Sequence, residues 1–377
     1  MNVLVAHLTG RAPTGGMSRL LGLSHELLAQ KGHRIDFLTS DDVGEWERGA
    51  AGRVLFPLTV FRRVRFAARR GTPYDVVNVH EQRGAVITVL KQWAGNPAVV
   101  VTTHGVEQRG WEVLQRYLES RGEPASIKTR LVYPLTSLSQ SRISLHWADH
   151  VVALNDDDAR YLQRQFHVPC GRITVVRPGA NPIYGQSAAA RQYRPIRRVL
   201  FAGTWTRRKG IIDLVAAFTH LRSSGREIDL IVLGAGASSA DVLAAFDPRI
   251  RPNVHVVAAS SDGDAASIMA EADAFVLPSA FEGTPLTLIE AMWSGLPIVT
   301  TATAGMKDVI RHGETGLLVE VGDVGALVEA VERLLDEPPL AERLGRSARE
   351  AARQFTWQVC AEGFERAYER AMRVTAG

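Results

Sequence analysis

Short runs rich in valine, isoleucine and leucine alternate with helix-patterned stretches along the whole chain, and this alternation restricts the fold more than any other feature. The runs are NVLVAH, HRIDFLT, YDVVNVH, AVVVTTH and HVVALN before residue 160, then RRVLFAG, IDLIVLG, NVHVV, AFVLPS and LPIVTT after 196. Strands that alternate with helices are joined by crossovers, which lays them side by side in parallel sheets with helices on both faces. The fold class is therefore α/β, doubly wound. At 377 residues the chain exceeds what one hydrophobic core serves, so two domains are expected. The stretch NPIYGQSAAARQYRP, 181–195, is rich in small and polar residues and is predicted to link them.

Ligands of open parallel sheets bind beyond the carboxyl ends of the strands, so the loops there carry the functional reading. One of them, FEGTPLTLIE at 281–290, follows the run AFVLPS and holds Glu282, Pro285 and Glu290. Proline suits the first turn of a helix, and Thr284 before it is an N-cap candidate. The spacing predicts a strand over 274–278, Glu282 in the loop and Glu290 on the second helical turn. Free N–H groups of Leu286 and Thr287, with the positive end of the helix dipole, then lie between two carboxylates. Such a helix end suits a phosphate, and the acids suit hydroxyl-rich groups beside it, a combination that describes a nucleotide sugar. Taken alone, the stretch reads as readily as a capped surface helix with solvated acids.

Three further loops stand out. After NVLVAH, Gly15 and Gly16 within TGRAPTGGMSRL permit close backbone approach, although a tight structural turn reads the same way. After AVVVTT, beside Gly105, stands His104, which reads either as a structural histidine or as a site residue at a strand end. After RRVLFAG comes TWTRRKG, where Arg207, Arg208 and Lys209 are either solvated or placed to meet the same anion as the 284–287 amides. A dinucleotide reading of IDLIVLGAGASS is weaker. Gly234 and Gly236 fit it, but Ser239 occupies the third glycine position and no acid at a strand end follows about twenty residues on.

The bulk properties narrow the classes. No apolar run approaches the roughly eighteen residues of a membrane span, and the start MNVLVAHLTG lacks the basic region and cleavage site of a signal peptide, so a cytoplasmic protein is expected. Cys170 and Cys360 lie far apart without ligand-like spacing, which indicates neither a disulfide framework nor a zinc site. Residues 1–182 carry 23 Lys and Arg against 16 Asp and Glu, whereas the remainder carries 21 against 24. The basic first half points to an anionic surface or acceptor, although solvated arginines alone give the same figure; no nucleic-acid partner is expected. Within it, 56–74 carries Arg62, Arg63, Arg65, Arg69 and Arg70 and no acid. With Phe61, Val64 and Phe66 among the arginines, this segment is expected either as an interfacial helix on an anionic membrane or as a helix packed on its own domain.

Taken together, these stretches resemble the retaining glycosyltransferases of family 4, whose GT-B architecture has two Rossmann-like doubly wound domains facing across a cleft. The most specific element is the E-x7-E motif met by Glu282 and Glu290 within PSAFEGTPLTLIEAMWSGLPIV. The Gly15-Gly16 loop, His104, Lys209-Gly210, ADHVVALNDDDARYL, RPGAN at 177–181 and HGETGLLVEVGD extend the similarity over nearly the whole chain. The resemblance implies an acceptor-side domain over 1–182, a nucleotide-sugar-binding domain over 196–360, and a terminal helix, 361–377, that packs back on the first. It implies transfer of a hexose from a nucleoside-diphosphate sugar to an acceptor hydroxyl with retention, in glycan, polysaccharide or glycolipid biosynthesis. The acceptor would be a sugar or lipid-linked molecule, met in the cytoplasm or at the inner face of the membrane.

By the same resemblance, Glu290 holds the ribose hydroxyls, Glu282 contacts the transferred sugar, and the backbone of Gly283, Thr284, Leu286 and Thr287 cradles the diphosphate. His104 and the Gly16 loop reach the sugar and phosphates from the facing domain. No cofactor or metal is implied, since no D-x-D-like acidic pair lies beside the phosphate site and Lys209 can take that role. Two departures matter. The family stretch G-R-x4-K-G is GTWTRRKG here, with Thr204 at the arginine position, which makes Arg208 the candidate replacement; and Gly305-Met306-Lys307-Asp308 stands where G-x-P-E is common. A nucleotide-sugar 2-epimerase of the same architecture and a non-catalytic nucleotide-sugar-binding subunit are the alternatives.

Overall fold

A computed structural model describes the chain except residues 11–14, 45–49, 124, 190 and 377, and describes only the backbone of 50, 51, 53, 128 and 376. Part of the expected glycine loop, 11–14, thus lies outside the described residues, while Gly15 and Gly16 lie within them. The chain divides into two compact units, 1–179 with 357–377, and 180–356.

The first unit is a six-stranded sheet of β1 (Asn2–Ala6), β2 (Arg34–Leu38), β3 (Val76–His80), β4 (Ala98–Thr102), β5 (His150–Ala153) and β6 (Ile173–Val175). The strand order is β2-β1-β3-β4-β5-β6, and every pair is parallel. Both faces are covered, which is why the strands read as continuous β-branched runs rather than alternating ones. On one face the helix Ala50–Arg69 buries Phe56, Val60, Phe61 and Val64 against Leu4, Val77 and Val99. Phe61 and Val64 are therefore core residues and not membrane-facing ones: with Phe56 and Val60 they recur at steps of three and four along one helix face, which turns them to the sheet, and of the three expected interfacial apolar residues only Phe66 is exposed.

On the opposite face the helix Trp357–Ala376 lays down a fully buried ridge of Cys360, Ala361, Phe364, Ala367, Tyr368 and Ala371 against Val3, Val5, Val100 and Val152. The hydroxyl of Tyr368 in this ridge is satisfied. The Tyr368 hydroxyl receives Asn78 Nδ2 at 2.7 Å and meets His25 Nε2 at 2.5 Å, and Thr102 Oγ1 donates to Asn78 Oδ1 at 2.7 Å.

The second unit repeats the design with β7 (Arg198–Ala202), β8 (Asp229–Leu233), β9 (Val254–Val257), β10 (Ala274–Leu277), β11 (Ile298–Thr301) and β12 (Leu317–Val319), in the order β12-β11-β10-β7-β8-β9, all parallel. All ten predicted runs are strands. β6 and β12, three residues each at sheet edges, were not predicted. The stretch 181–195 is built into this unit rather than linking two others. Tyr184 is fully buried, and Arg191 donates to the carbonyls of Ser294, Ala272 and Met269 at 2.7, 2.8 and 2.7 Å. Both chain crossings sit side by side instead, where Ala180 bridges Thr356. The units accordingly divide at 179 and 357, a few residues before the expected 182 and 361.

Candidate active site

In the second unit three loops meet beyond the carboxyl ends of the neighbouring strands β7, β10 and β11. The loop after β10 carries Glu282 to the start of the helix Leu286–Trp293. That helix begins one residue later than expected: Pro285, not Thr284, is the N-cap, with an extended ψ of 126°. Its carbonyl accepts the first helical bond from Leu288 N at 3.1 Å. Glu290 lies on the second turn, 2% exposed, among the buried Leu288, Ile289, Ala291 and Met292. The Thr287 and Ser279 hydroxyl oxygens are buried without a hydrogen-bond partner.

Glu282 is buried, and one of its oxygens, Oε1, receives Arg208 Nη1 at 2.6 Å and Lys209 Nζ at 3.0 Å. Arg208 Nη1 also donates to the Phe281 carbonyl at 3.0 Å. Burial alone would raise the carboxyl pKa, but the Lys209 and Arg208 charges outweigh it and hold Glu282 below the usual carboxylate range. Glu282 is ionised, and its charge is shared by two fixed cations.

The backbone explains how they are fixed. Arg207–Lys209 form a single tight turn closed by Gly210, which has φ 72°. A Cβ at Gly210 would stand 1.8 Å from the Pro278 carbonyl oxygen, so glycine alone lets the loop after β7 close onto the loop after β10. Ala280 N then donates to the Arg208 carbonyl at 2.8 Å. The loop after β11 packs as closely. A Cβ at Gly305 would lie 1.5 Å from the Gly283 carbonyl oxygen, and Gly305 N donates to the Glu282 carbonyl at 3.3 Å. Ala304 before it holds a left-handed φ of 37°, rare for a residue with a Cβ. Despite its departure from G-x-P-E, this loop supports the Glu282 backbone. Thr204 and Arg207 are exposed.

In the first unit His104 follows β4, and its ring stacks on His80, the last residue of β3, with centroids 5.2 Å apart and planes 22° from parallel. His7 follows β1 and is hydrogen-bonded to Thr9 Oγ1 at 2.7 Å. Burial lowers all three, His7 to about 4, His104 to about 3 and His80 well below its usual value, so the rings are neutral at pH 7. His104 Nε2 is buried without a hydrogen-bond partner. Next to His80, Glu81 accepts from Glu107 N at 3.2 Å and from the Ser141 hydroxyl; burial first, then the Glu107 charge, raises its carboxyl pKa. His7 and His80 were not singled out from the sequence, although each closes its apolar run, NVLVAH and YDVVNVH, just as His104 closes AVVVTTH. Gly15 is the extended N-cap of the helix Gly16–Gln30, and nothing lies within 4 Å of where a Gly16 Cβ would stand. Among the described residues no group of three or more His, Cys, Asp or Glu is placed to hold a metal ion.

Two family descriptions divide this sequence between them: residues 14–183 match "Glycosyltransferase Family 4", and residues 191–351 match "Glycosyl transferases group 1". The chain belongs to the family 4 glycosyltransferases. A glycogen synthase of Mycobacterium tuberculosis is 30% identical to this chain over 203 residues, which are 53% of this chain and 49% of that one. A D-inositol 3-phosphate glycosyltransferase of Corynebacterium diphtheriae is 25% identical over 322 residues, 81% of this chain and 73% of that one. The chain thus spans about half the length of the first relative and nearly three quarters of the second. Among solved structures, sucrose-phosphate synthase from Thermosynechococcus elongatus superposes with a TM-score of 0.75 at 21% identity over 98% of both chains. HepE from Anabaena, solved in complex with UDP-glucose, superposes with a TM-score of 0.67 at 16% identity over 97% of this chain and 99% of that one. The fold is that of the two-domain GT-B enzymes.

Proposed function

We propose that this glycosyltransferase moves a hexose from a nucleoside-diphosphate sugar to an acceptor hydroxyl with retention at the anomeric carbon, in building a glycan, polysaccharide or glycolipid. The observation that carries the reading is the Glu282 carboxylate held by Lys209 and Arg208 at the mouth of the helix Leu286–Trp293. Departure of a diphosphate leaves growing negative charge on its oxygens and positive charge on the sugar. Cations and helix-end amides set in advance stabilise the first, and an ionised carboxylate nearby stabilises the second. In a front-face course the bond from the anomeric carbon to the donor phosphate oxygen breaks, the bond to the acceptor oxygen forms on the same face, and the acceptor proton passes to the released phosphate oxygen. Such a step asks for no protein base, and Lys209 with Arg208 meets the leaving-group charge.

Within this reading Glu290 accepts from the ribose hydroxyls and the backbone from Gly283 to Thr287 holds the diphosphate. His104, neutral and with a buried ring nitrogen, hydrogen-bonds the sugar. A structure of HepE with UDP-glucose supports the donor class, and a relative named glycogen synthase supports a role in polysaccharide assembly. A panel of nucleoside-diphosphate sugars, each offered with and without sugar and lipid-linked acceptors, tests the proposal. Nucleotide release is expected only with an acceptor, and the anomeric proton coupling of the product, read by NMR, should match that of the donor. An inverted product overturns retention; nucleotide release with an epimerised free sugar points to a 2-epimerase; donor binding without turnover points to a non-catalytic subunit.

A further inference from the structure

Exposed apolar surface is concentrated on one layer of this molecule. Of the large hydrophobic side chains standing exposed among the described residues, all but Val359 and Val374 belong to the helical layer between residues 54 and 147, and the second unit contributes none. The centre of the layer is a helical rod over 127–147, capped by Ser126, whose hydroxyl accepts from Thr129 N at 3.2 Å. It runs through a π-helical turn at Pro134–Leu138, a total length of about 30 Å. Its second half packs inward through Leu138, Ser141, Ser144 and Leu145. Its first half does not: no described residue from 127 to 137 is buried, and Ile127, Leu131 and Leu135, four apart along one side, are 77, 62 and 77% exposed. A monomeric protein seldom leaves such a row in water without a partner for it.

The helix Ala50–Arg69 borders the rod on the same side of the sheet, where Gln140 Nε2 donates to the Val54 carbonyl at 2.7 Å. Its outward side carries Leu55, Arg62, Arg63, Arg65 and Phe66, all exposed. Residues 50–70 and 125–148 together contain nine Lys and Arg and not one Asp or Glu. Arg130 pairs with the exposed Glu119 of the helix Glu107–Ser120 at 3.8 Å.

We propose that this face, with Ile127, Leu131 and Leu135 as its apolar insertion and Arg62, Arg63 and Arg65 as its charged border, docks on an anionic lipid bilayer. Two segments without an acid of their own favour a polyanionic partner, and aliphatic side chains standing clear of the fold favour one with hydrocarbon beneath its charge, which a nucleic acid does not offer. The docking helix expected at 56–74 supplies only the border; the inserting residues come from a segment of unremarkable charge. This inference concerns lipid binding without any sugar, so it stands or falls separately from the donor reading.

Flotation of the whole chain with vesicles of equal parts phosphatidylglycerol and phosphatidylcholine, against vesicles of phosphatidylcholine alone, tests it. Binding is expected only to the anionic vesicles and should weaken steeply with added salt. Replacing Arg62, Arg63 and Arg65 by Ser should reduce the partition about a hundredfold, and Leu131→Asp with Leu135→Asp should abolish it. All five positions are exposed, so unchanged thermal unfolding of the variants is the control; if the double Asp variant fails to fold, Leu131→Ser with Leu135→Ser replaces it. No binding to anionic vesicles, binding indifferent to both sets of substitutions, or self-association in sedimentation that the Asp pair disrupts would each overturn the proposal, the last in favour of a second copy of the chain.

Discussion

At Glu282 burial and two cations act in opposite directions on one carboxylate, and the cations win. A buried acid kept ionised by Lys209 and Arg208 is arranged for charge stabilisation rather than proton transfer. The Glu282–Glu290 spacing and the cations at 207–209 are legible in the sequence because each lies within one loop and its following helix. The ion pair between Arg208 and Glu282 is not, because it joins residues 74 apart in the chain through the close approach that Gly210 permits. The proposal that Arg208 fills the role vacated at Thr204 yields a kinetic prediction. Arg208→Ala should lower kcat about a hundredfold, on the order of 3 kcal/mol, with a smaller rise in donor KM, since the charge it meets grows in the transition state. Steady-state kinetics decide it: near-normal kcat in Arg208→Ala together with a crippled Thr204→Val would assign the role to the threonine hydroxyl.

At the scale of elements, the carboxyl ends of adjacent strands gather the site, and backbone contact leaves no room for a side chain between the loops. Gly210→Ala meets both a left-handed φ and a carbonyl 1.8 Å from the new Cβ. We expect it to separate the two loops, with turnover lost and the second unit destabilised by about 1–3 kcal/mol; wild-type turnover and unfolding midpoint would show that the loops tolerate a Cβ. In the first unit, Tyr368→Phe strands Asn78 Nδ2 and His25 Nε2 in the core and should cost about 1–3 kcal/mol in urea unfolding. A change of only a few tenths would mean that these groups find other partners. Central strands were readable as continuous valine-rich runs because burial on both faces demands them. β6 and β12 were not, since three residues at a sheet edge leave no pattern longer than chance. Arginine spacing likewise hid the inward side of Ala50–Arg69, because Phe61 and Val64 declare themselves only against Phe56, Val60 and the sheet.

Across the whole molecule, the histidines whose titration is most shifted, His7, His25, His80, His104 and His150, all belong to the first unit. Each folded pKa is depressed, so the unfolded chain binds the proton more readily. Stability from these groups is complete above about pH 6.5 and is lost as pH falls toward 4, roughly 3 kcal/mol at pH 4 for the fully buried His25 alone. Hydrogen exchange at pH 7 and pH 5 should show the first-unit strands losing protection with acid, and first-unit protection independent of pH over this range would refute the assignment. We propose that the second unit holds a nucleoside diphosphate between Glu282 and Glu290, with distinct work for each acid. Calorimetric titration of nucleoside diphosphates into the wild-type chain, Glu290→Ala and Glu282→Ala tests it most directly. At least one nucleotide should bind the wild type, Glu290→Ala should weaken that binding tenfold or more, and Glu282→Ala should keep the affinity while losing turnover; equal losses in both variants, or no nucleotide bound at all, would contradict this assignment.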